Sequence, residues 1–476
     1  MTSIPRSLSD LDALFYSAET PAQHLHVLAT LVLKRASVER VSDYELFQSR
    51  VAERFRLVEP LRRRPGRSAT GRATWIEDPE IFLEQHLHHV VLPEGGGLDA
   101  LAETAAEIAS HPLSRDRPMW EAWFVEGFEK DHTAVVTKIH HSVFDGISGI
   151  FALAAFFDLE AHPEARSGGG AGDPAEHSSG TSVRSWPDLG AVAGGLVRRP
   201  VSVAKAMTRF SSSGVRLALS RRETTPLPCT GPRMSYNRAL TPRRSVGFTS
   251  LKLEDVKRVA HSSGASVNDV VVALCAGVLR RYAIQCDELP TRPLVAAIPV
   301  SERKRDDGPA GNALSFMFYA LPVHLPAVSE RLAFVKRSAS EAKSLHTKTG
   351  EGLLASVAAL APKAAIGPAM RIMSSRGAAN VFPPVANVLI SNIRGPQVPL
   401  YVAGATLCSI FPMGPVIDGV GLGITAMSYG DEMSFGFIAC ADLVRDIRDF
   451  SLGLHVEMAA MLDALPRPRR SRSRST

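Results

Sequence analysis

The sequence predicts an α+β chain in which one mixed two-layer architecture is used twice. Three observations carry this. The chain has 476 residues, 45% hydrophobic and 21% charged, a globular composition too long for one modal domain. Residues 165–185 (ARSGGGAGDPAEHSSGTSVRS) are too rich in Gly, Ser and Pro to supply a core, so they read as a linker dividing the chain into halves. Strands and helices alternate irregularly on both sides of it, with no GxGxxG, no P-loop and no short-period repeat.

The elements follow from local pattern. In the first half, residues 24–34 (HLHVLATLVLK) and 133–139 (TAVVTKI) read as strands, and residues 98–110 show helical spacing through Leu98, Leu101 and Ile108. After a polar, proline-punctuated stretch to about residue 244, residues 245–252 read as a strand. A helix then opens at Ser266, with Asp269 at capping-box spacing and Arg280 and Arg281 expected near its C-terminal end, where the helix dipole favours cations. Further strands are expected at 293–299, 313–323 and 386–391, then a hairpin-like pair, 421–428 and 433–439. The expected division is residues 1–164, a linker and crossover at 165–244, a second unit at 245–463, and a basic disordered tail at 464–476.

Charge sharpens the class. The net +6 is concentrated at the end: Arg467, Arg469, Arg470, Arg472 and Arg474 lie in the last ten residues, and without them 49 basic residues face 48 acidic ones. The body is nearly neutral, which removes the main argument for nucleic acid. Arg62, Arg63 and Arg64, with Arg67 and Arg72, lack interleaved aromatics and read as a solvated or substrate-facing surface. Five scattered cysteines without a CxxC pair fit a reduced intracellular protein and no zinc site. The N-terminus meets acids before any apolar run, so no secretory signal is expected. The two longest apolar stretches, 189–207 and 353–373, are broken by Arg, Lys and Pro, and fit core helices or helices lying on a bilayer surface.

The sharpest feature is His140-His141-Ser142-Val143-Phe144-Asp145-Gly146, directly after an apolar strand. Given this composition, HHxxxDG arises by chance in roughly two of a thousand such chains. Successive strand side chains point to opposite faces, so at most one of the two histidines can face a given cleft while the other packs or orients, and a pair of satisfied histidines at a strand end is the competing reading. A neutral imidazole can take a hydroxyl proton as that oxygen attacks an activated acyl group, then return it to the leaving thiolate. Asp145 fits an ion pair holding the turn, and Gly146 a sharp change of chain direction. No cysteine or carboxylate cluster lies nearby at metal-ligand spacing, so no metal is expected.

These residues resemble the chloramphenicol acetyltransferase-like acyltransferases, and the flanking segments narrow the resemblance to the bacterial wax ester synthase/acyl-CoA:diacylglycerol acyltransferase family. The similar segments run nearly end to end: residues 8–19 (LSDLDALFYSAE), 60–64, 86–93 (HLHHVVLP), 113–121 (LSRDRPMWE, like the family's PLW motif) and 139–149. In the second half they are 266–273 (SVNDVVVA, like its ND motif), 298–303 with Gly311-Asn312, 387–396 (NVLISNIRGP, like its SNVPGP motif) and 417–439. The resemblance implies two chloramphenicol acetyltransferase-like subdomains with an active-site tunnel between them. Long-chain acyl-CoA would enter it from one side, and diacylglycerol or a fatty alcohol from the other. It implies His141 as general base, His140 as its scaffold and Asp145 and Gly146 as structural. Asn268, Trp120, Glu19, Ser391, Asn392 and Arg394 are implied substrate-side residues. For each of these a helix-start, packing or loop role, or for Glu19 that of a solvated helix-end acid, is the competing reading.

It implies no cofactor, acyl-CoA being a substrate, no nucleic-acid partner, and a cytoplasmic protein peripherally associated with the inner face of the membrane or with lipid droplets. Three departures stand out. Met119 replaces the Leu of PLW, a volume-conserving change. Arg394 stands where the SNVPGP motif has its first proline, putting a cation where it could meet CoA phosphates or simply alter the loop. Gly423 stands where the family's LNIT has an amide, so acceptor choice would differ, or activity weaken, if that amide binds the acceptor. Two rival readings remain at this level: a condensation-type acyltransferase fed by a carrier protein, and a lipid-binding protein that has kept the fold.

Overall fold

A computed structural model describes residues 6–35, 43–67, 73–144, 155–160, 224, 226–301, 314–349 and 377–466. In chain order these form β1 (Arg6–Ser7), α1 (Asp10–Ala18), β2 (His26–Lys34), α2 (Asp43–Arg54), β3 (Arg63–Arg67), β4 (Ala73–Glu77), β5 (Leu87–Val91), α3 (Gly97–Ser110), β6 (Trp120–Glu129) and β7 (His132–His140). There follow β8 (Arg244–Lys252), α4 (Leu253–Ser263), α5 (Val267–Gln285), β9 (Leu294–Ser301), β10 (Leu314–Leu321) and α6 (Val328–Thr349). The chain ends with β11 (Val388–Arg394), β12 (Tyr401–Val402), β13 (Ala405–Met413), β14 (Leu422–Tyr429), β15 (Glu432–Cys440) and α7 (Arg448–Asp463). The linker at 165–185, the apolar stretches 189–207 and 353–373, Gly311-Asn312 and the arginines of the tail lie outside the described residues.

Two six-stranded mixed sheets dominate. One has the order β12-β13-β2-β7-β6-β5, the other β10-β9-β11-β14-β15-β8, and a small sheet β1-β4-β3 stands beside them. After β11 the chain leaves the second sheet, adds β12 and β13 to the first, and returns as β14. Period-two burial explains the layering. In β14 and β15, Leu422, Ile424, Ala426, Phe435 and Phe437 face the helical core of α4, α5, α6 and α7. The opposite face supplies Met427 and Tyr429 to one core of the first sheet, and Ile438 and Cys440 to the other. The second sheet is therefore covered on both faces, by helices and by the first sheet.

Helix α5 begins as expected: the Asp269 amide donates to Ser266 Oγ at 3.1 Å, and the Ser266 amide to Asp269 Oδ2 at 2.9 Å. Its far end corrects an expectation. The helix runs on to Gln285, so Arg280 is not in the last turn. Its guanidinium instead donates to the carbonyls of Val323 and His324 at 2.8 and 3.2 Å, tying α5 to the segment after β10. Among the described residues no single helix is long and apolar enough to cross a membrane.

Candidate active site at the end of strand β7

Strand β7 is central in the first sheet and its two faces differ. Val135 and Ile139 pack with α2 on one side. Ala134 and Val136 pack with α3 on the other, where Lys138 and His140 also point by alternation. Lys138 is fully buried there; its ammonium meets Glu121 at 3.1 Å and the carbonyls of Ile108 and His111, which anchors the end of α3. Burial lowers its pKa, with Glu121 opposing.

His140 is the last strand residue and has no exposed surface. Its amide donates to the Met119 carbonyl at 3.1 Å. The Ser142 amide donates to His140 Nδ1 at 3.1 Å, and the Ser142 hydroxyl lies 2.7 Å from the same nitrogen. Nδ1 is thus an acceptor and the proton sits on Nε2, which is 3.7 Å from Glu19 Oε2. Burial, with the charges of Arg115 and His141 adding, holds His140 down to about 3, so it is neutral and the Glu19 contact is not an ion pair. Glu19 itself takes a hydrogen bond from Arg115 Nε at 2.9 Å, and Arg115 lies over the Tyr16 ring. Burial raises the Glu19 pKa against the pull of Arg115.

His141 is one residue beyond the strand. Its amide donates to the Leu25 carbonyl at 2.9 Å, and Val143 closes the turn back onto the His140 carbonyl. The His141 ring is 7% exposed and lies 4.4 Å from the Phe15 ring, centroid to centroid. Asp145 and Gly146 lie outside the described residues. The turn continues into Val143 and Phe144, which join an apolar cluster with Ile393, Met427 and Tyr429 from the ends of β11 and β14. The two sheets thus meet next to His141.

The other candidates sort into groups. Asn392 on β11 donates to Asn268 Oδ1 in the first turn of α5 at 3.4 Å, so two motifs far apart in sequence form one contact. Ser391 is half-buried in β11, in register with Thr425. Arg394, the last residue of β11, is exposed and has no carboxylate partner among the described residues. Trp120 stands apart as a packing anchor. It is buried, its indole N–H donates to the Leu61 carbonyl at 2.9 Å, and it stacks on His86 at 4.4 Å. Arg62 and Arg64 pair with Glu77 and Asp78, and Arg63 with Glu59, so this basic run is an ion-paired surface.

Sequence reasoning missed Phe15, Ser142 and Arg115. The spacing of Ser9 and Asp12, a capping box that the structure forms at the start of α1, was a local signal for the helix that carries Phe15. No local signal marks Ser142 or Arg115.

Comparison with known proteins fits this geometry. Residues 8–271 match the family model described as the wax ester synthase/diacylglycerol acyltransferase catalytic domain, and residues 310–462 match its C-terminal domain. A Mycobacterium tuberculosis (strain CDC 1551 / Oshkosh) protein provisionally named a diacylglycerol O-acyltransferase is 33% identical over 461 residues, 96% of this chain and 90% of that one. A second such protein from the same strain is 32% identical over 459 residues, 94% of each chain. The solved wax ester synthase/diacylglycerol acyltransferase of Marinobacter aquaeolei VT8 superposes with a TM-score of 0.67 at 25% identity, covering 96% of this chain and 98% of that one. The first condensation domain of the CDA synthetase shares the fold, with a TM-score of 0.58 at 16% identity over 98% of both chains. Family models over most of its length, and a relative above 30% identity along 96% of it, place the chain in the wax ester synthase/diacylglycerol acyltransferase family.

Proposed function

We propose that the chain transfers the acyl group of a long-chain acyl-CoA to the hydroxyl of diacylglycerol, a fatty alcohol or both, with His141 as general base. The observation that carries this reading is the division of labour at the end of β7. His140 is sealed, neutral and hydrogen-bonded in place, while His141 is set one residue past the strand, beside the junction of the two sheets. The acceptor oxygen attacks the thioester carbonyl carbon as the imidazole takes its proton. The carbon–sulfur bond then breaks, and the imidazolium returns the proton to the CoA thiolate. Electrons balance without a redox partner, and acyl-CoA is a substrate. Asp145 and Gly146 are proposed to hold the turn behind His141.

The same reading takes residues 1–164 and 245–463 as two subdomains joined by 165–244, with β12 and β13 the part of the second that completes the first sheet. It places the protein on the cytoplasmic face of a membrane or on lipid droplets, because both acceptors are water-insoluble. The tail at 467–476 supplies attraction to anionic lipid of about 1 kcal/mol per basic residue at the surface. Deleting it should reduce sedimentation with anionic vesicles at low salt.

The test is CoA release from palmitoyl-CoA with dioleoylglycerol or hexadecanol. Wild type should release CoA with at least one acceptor and His141→Ala should not; a His141→Ala rate equal to wild type would falsify the role of the base. His140→Ala should instead lower the unfolding midpoint.

A further inference from the structure

The end of β11 carries a feature that the transfer step leaves unused. Val388 and Ile390 face the core of α5, so by strand alternation Asn392 and Arg394 project to that same side, towards the start of α5. The 3.4 Å contact of Asn392 with Asn268 agrees with that direction. Ile393 points the other way, into the apolar cluster shared with Val143 and Phe144 immediately after His141. Arg394 therefore stands one residue from the packing around the base, yet its side chain is exposed and no described carboxylate neutralises it. Its backbone is fixed: β11 and β14 pair through Arg394 and Ser428, and the Gly395 amide donates to the Ser428 carbonyl at 3.0 Å. A guanidinium held at a strand end, without an acid beside it, suits a phosphate, which it can grip with parallel N–H donors.

We propose that Arg394 is a specificity-determining residue that binds the phosphates of the acyl donor, so that the chain selects acyl-CoA over thioesters lacking the nucleotide. This rests on the proposed acyl-transfer reading. An anionic lipid headgroup offers the same phosphate chemistry, and the experiment separates the two sources.

Wild type, Arg394→Gln and Arg394→Lys are assayed with palmitoyl-CoA and with S-palmitoyl-pantetheine, which keeps the thioester and lacks the nucleotide. Arg394→Gln should raise KM for palmitoyl-CoA about tenfold, while KM for the pantetheine thioester moves less than about twofold; Arg394→Lys should recover part of the loss. Equal KM values for palmitoyl-CoA in wild type and Arg394→Gln overturn the proposal. So does an equal rise with both donors, which would mark a change in loop shape. So too does reduced sedimentation of Arg394→Gln with phosphatidylglycerol vesicles at unchanged KM, since the phosphate would then belong to lipid. If wild type turns over neither donor, the acyl-transfer reading fails, and titration with CoA alone decides the residue: weaker binding by Arg394→Gln supports the phosphate contact and equal binding overturns it.

Discussion

The carboxylate of Glu19 stands 3.7 Å from Nε2 of His140, held there by Arg115, so an acid from the end of α1 faces the one ring nitrogen that Ser142 leaves free. The distance is too long for a direct hydrogen bond, but the charge favours the Nε2–H tautomer that lets Nδ1 accept from Ser142. Glu19 is thus a positioning residue for the turn that presents His141. Glu19→Gln should lower kcat by about ten- to a hundredfold with KM for acyl-CoA little changed, because misplaced catalytic groups cost on that scale. Steady-state kinetics check this, with Glu19→Asp expected to recover part of the loss. An unchanged kcat would reduce Glu19 to a helix-end acid.

Trp120 should behave as a stability residue. Trp120→Phe keeps an aromatic ring against His86 but deprives the Leu61 carbonyl of its donor, a loss of about 1–2 kcal/mol. Trp120→Ala opens the core and should cost about 3–5 kcal/mol. Urea unfolding measures both. If Trp120→Phe unfolded at the wild-type midpoint but lost its activity, the indole would be touching substrate.

Stability should fall on mild acidification. Burial, the leading cause in each case, lowers the pKa of His24, His26, His86 and His88, and takes His140 to about 3. Unfolded histidines protonate at about pH 6.5, whereas burial makes these rings take up a proton less readily in the fold. Below that pH the unfolded chain binds more protons, so stability is full above about pH 7 and is lost as pH falls. His140 alone accounts for about 2 kcal/mol by pH 5. Glu19, with its raised pKa, acts in the opposite sense at lower pH. Urea midpoints at pH 7.5 and 5.0 check the sign; equal midpoints would mean that the rings charge inside the fold.

Much of this was legible in the sequence, for reasons that also explain what was not. Apolar runs buried on both faces marked β2, β7, β14 and β15, and the Ser266–Asp269 spacing marked the start of α5, because these signals are local. Strand β13 gave no such signal. Pro412 interrupts its pattern, and its partner β2 lies almost 400 residues away, so its place in the first sheet is a tertiary fact. The pair of histidines at the end of an apolar strand was legible in the motif, but alternation ends with the strand at His140, so the turn that sets His141 apart from its neighbour was not. The Glu19–Arg115–His140 group did not follow, because it is assembled from three segments whose only relation is spatial. Arg280 shows the reverse error: the helix runs past it to Gln285, and its guanidinium is taken up by carbonyls of the turn after β10.

Two glycines in the final strand pair should respond oppositely to alanine. Gly436 on β15 lies under the backbone of β13, and a Cβ there would come within 2.3 Å of the Pro412 carbonyl oxygen. That atom belongs to a paired strand and cannot swing away, so Gly436→Ala should cost about 2–3 kcal/mol by pushing the sheets apart. Gly423 on β14 has room: an added Cβ meets Ile438 Cγ2 at 3.4 Å and Val416 Cγ1 at 3.9 Å, ordinary contacts. Both neighbours belong to the apolar core between α3 and the sheets, so a side chain at 423 enters packing and not a polar acceptor site. Gly423→Ala should therefore be neutral or stabilise by up to about 1 kcal/mol, through the unfolded chain's lost freedom. The ratio of rates with dioleoylglycerol and hexadecanol should stay close to that of wild type, since the added methyl packs against Ile438 and Val416. A large change in that ratio for Gly423→Ala, at unchanged stability, would place the acceptor against β14 and make this glycine a determinant of which alcohol is esterified.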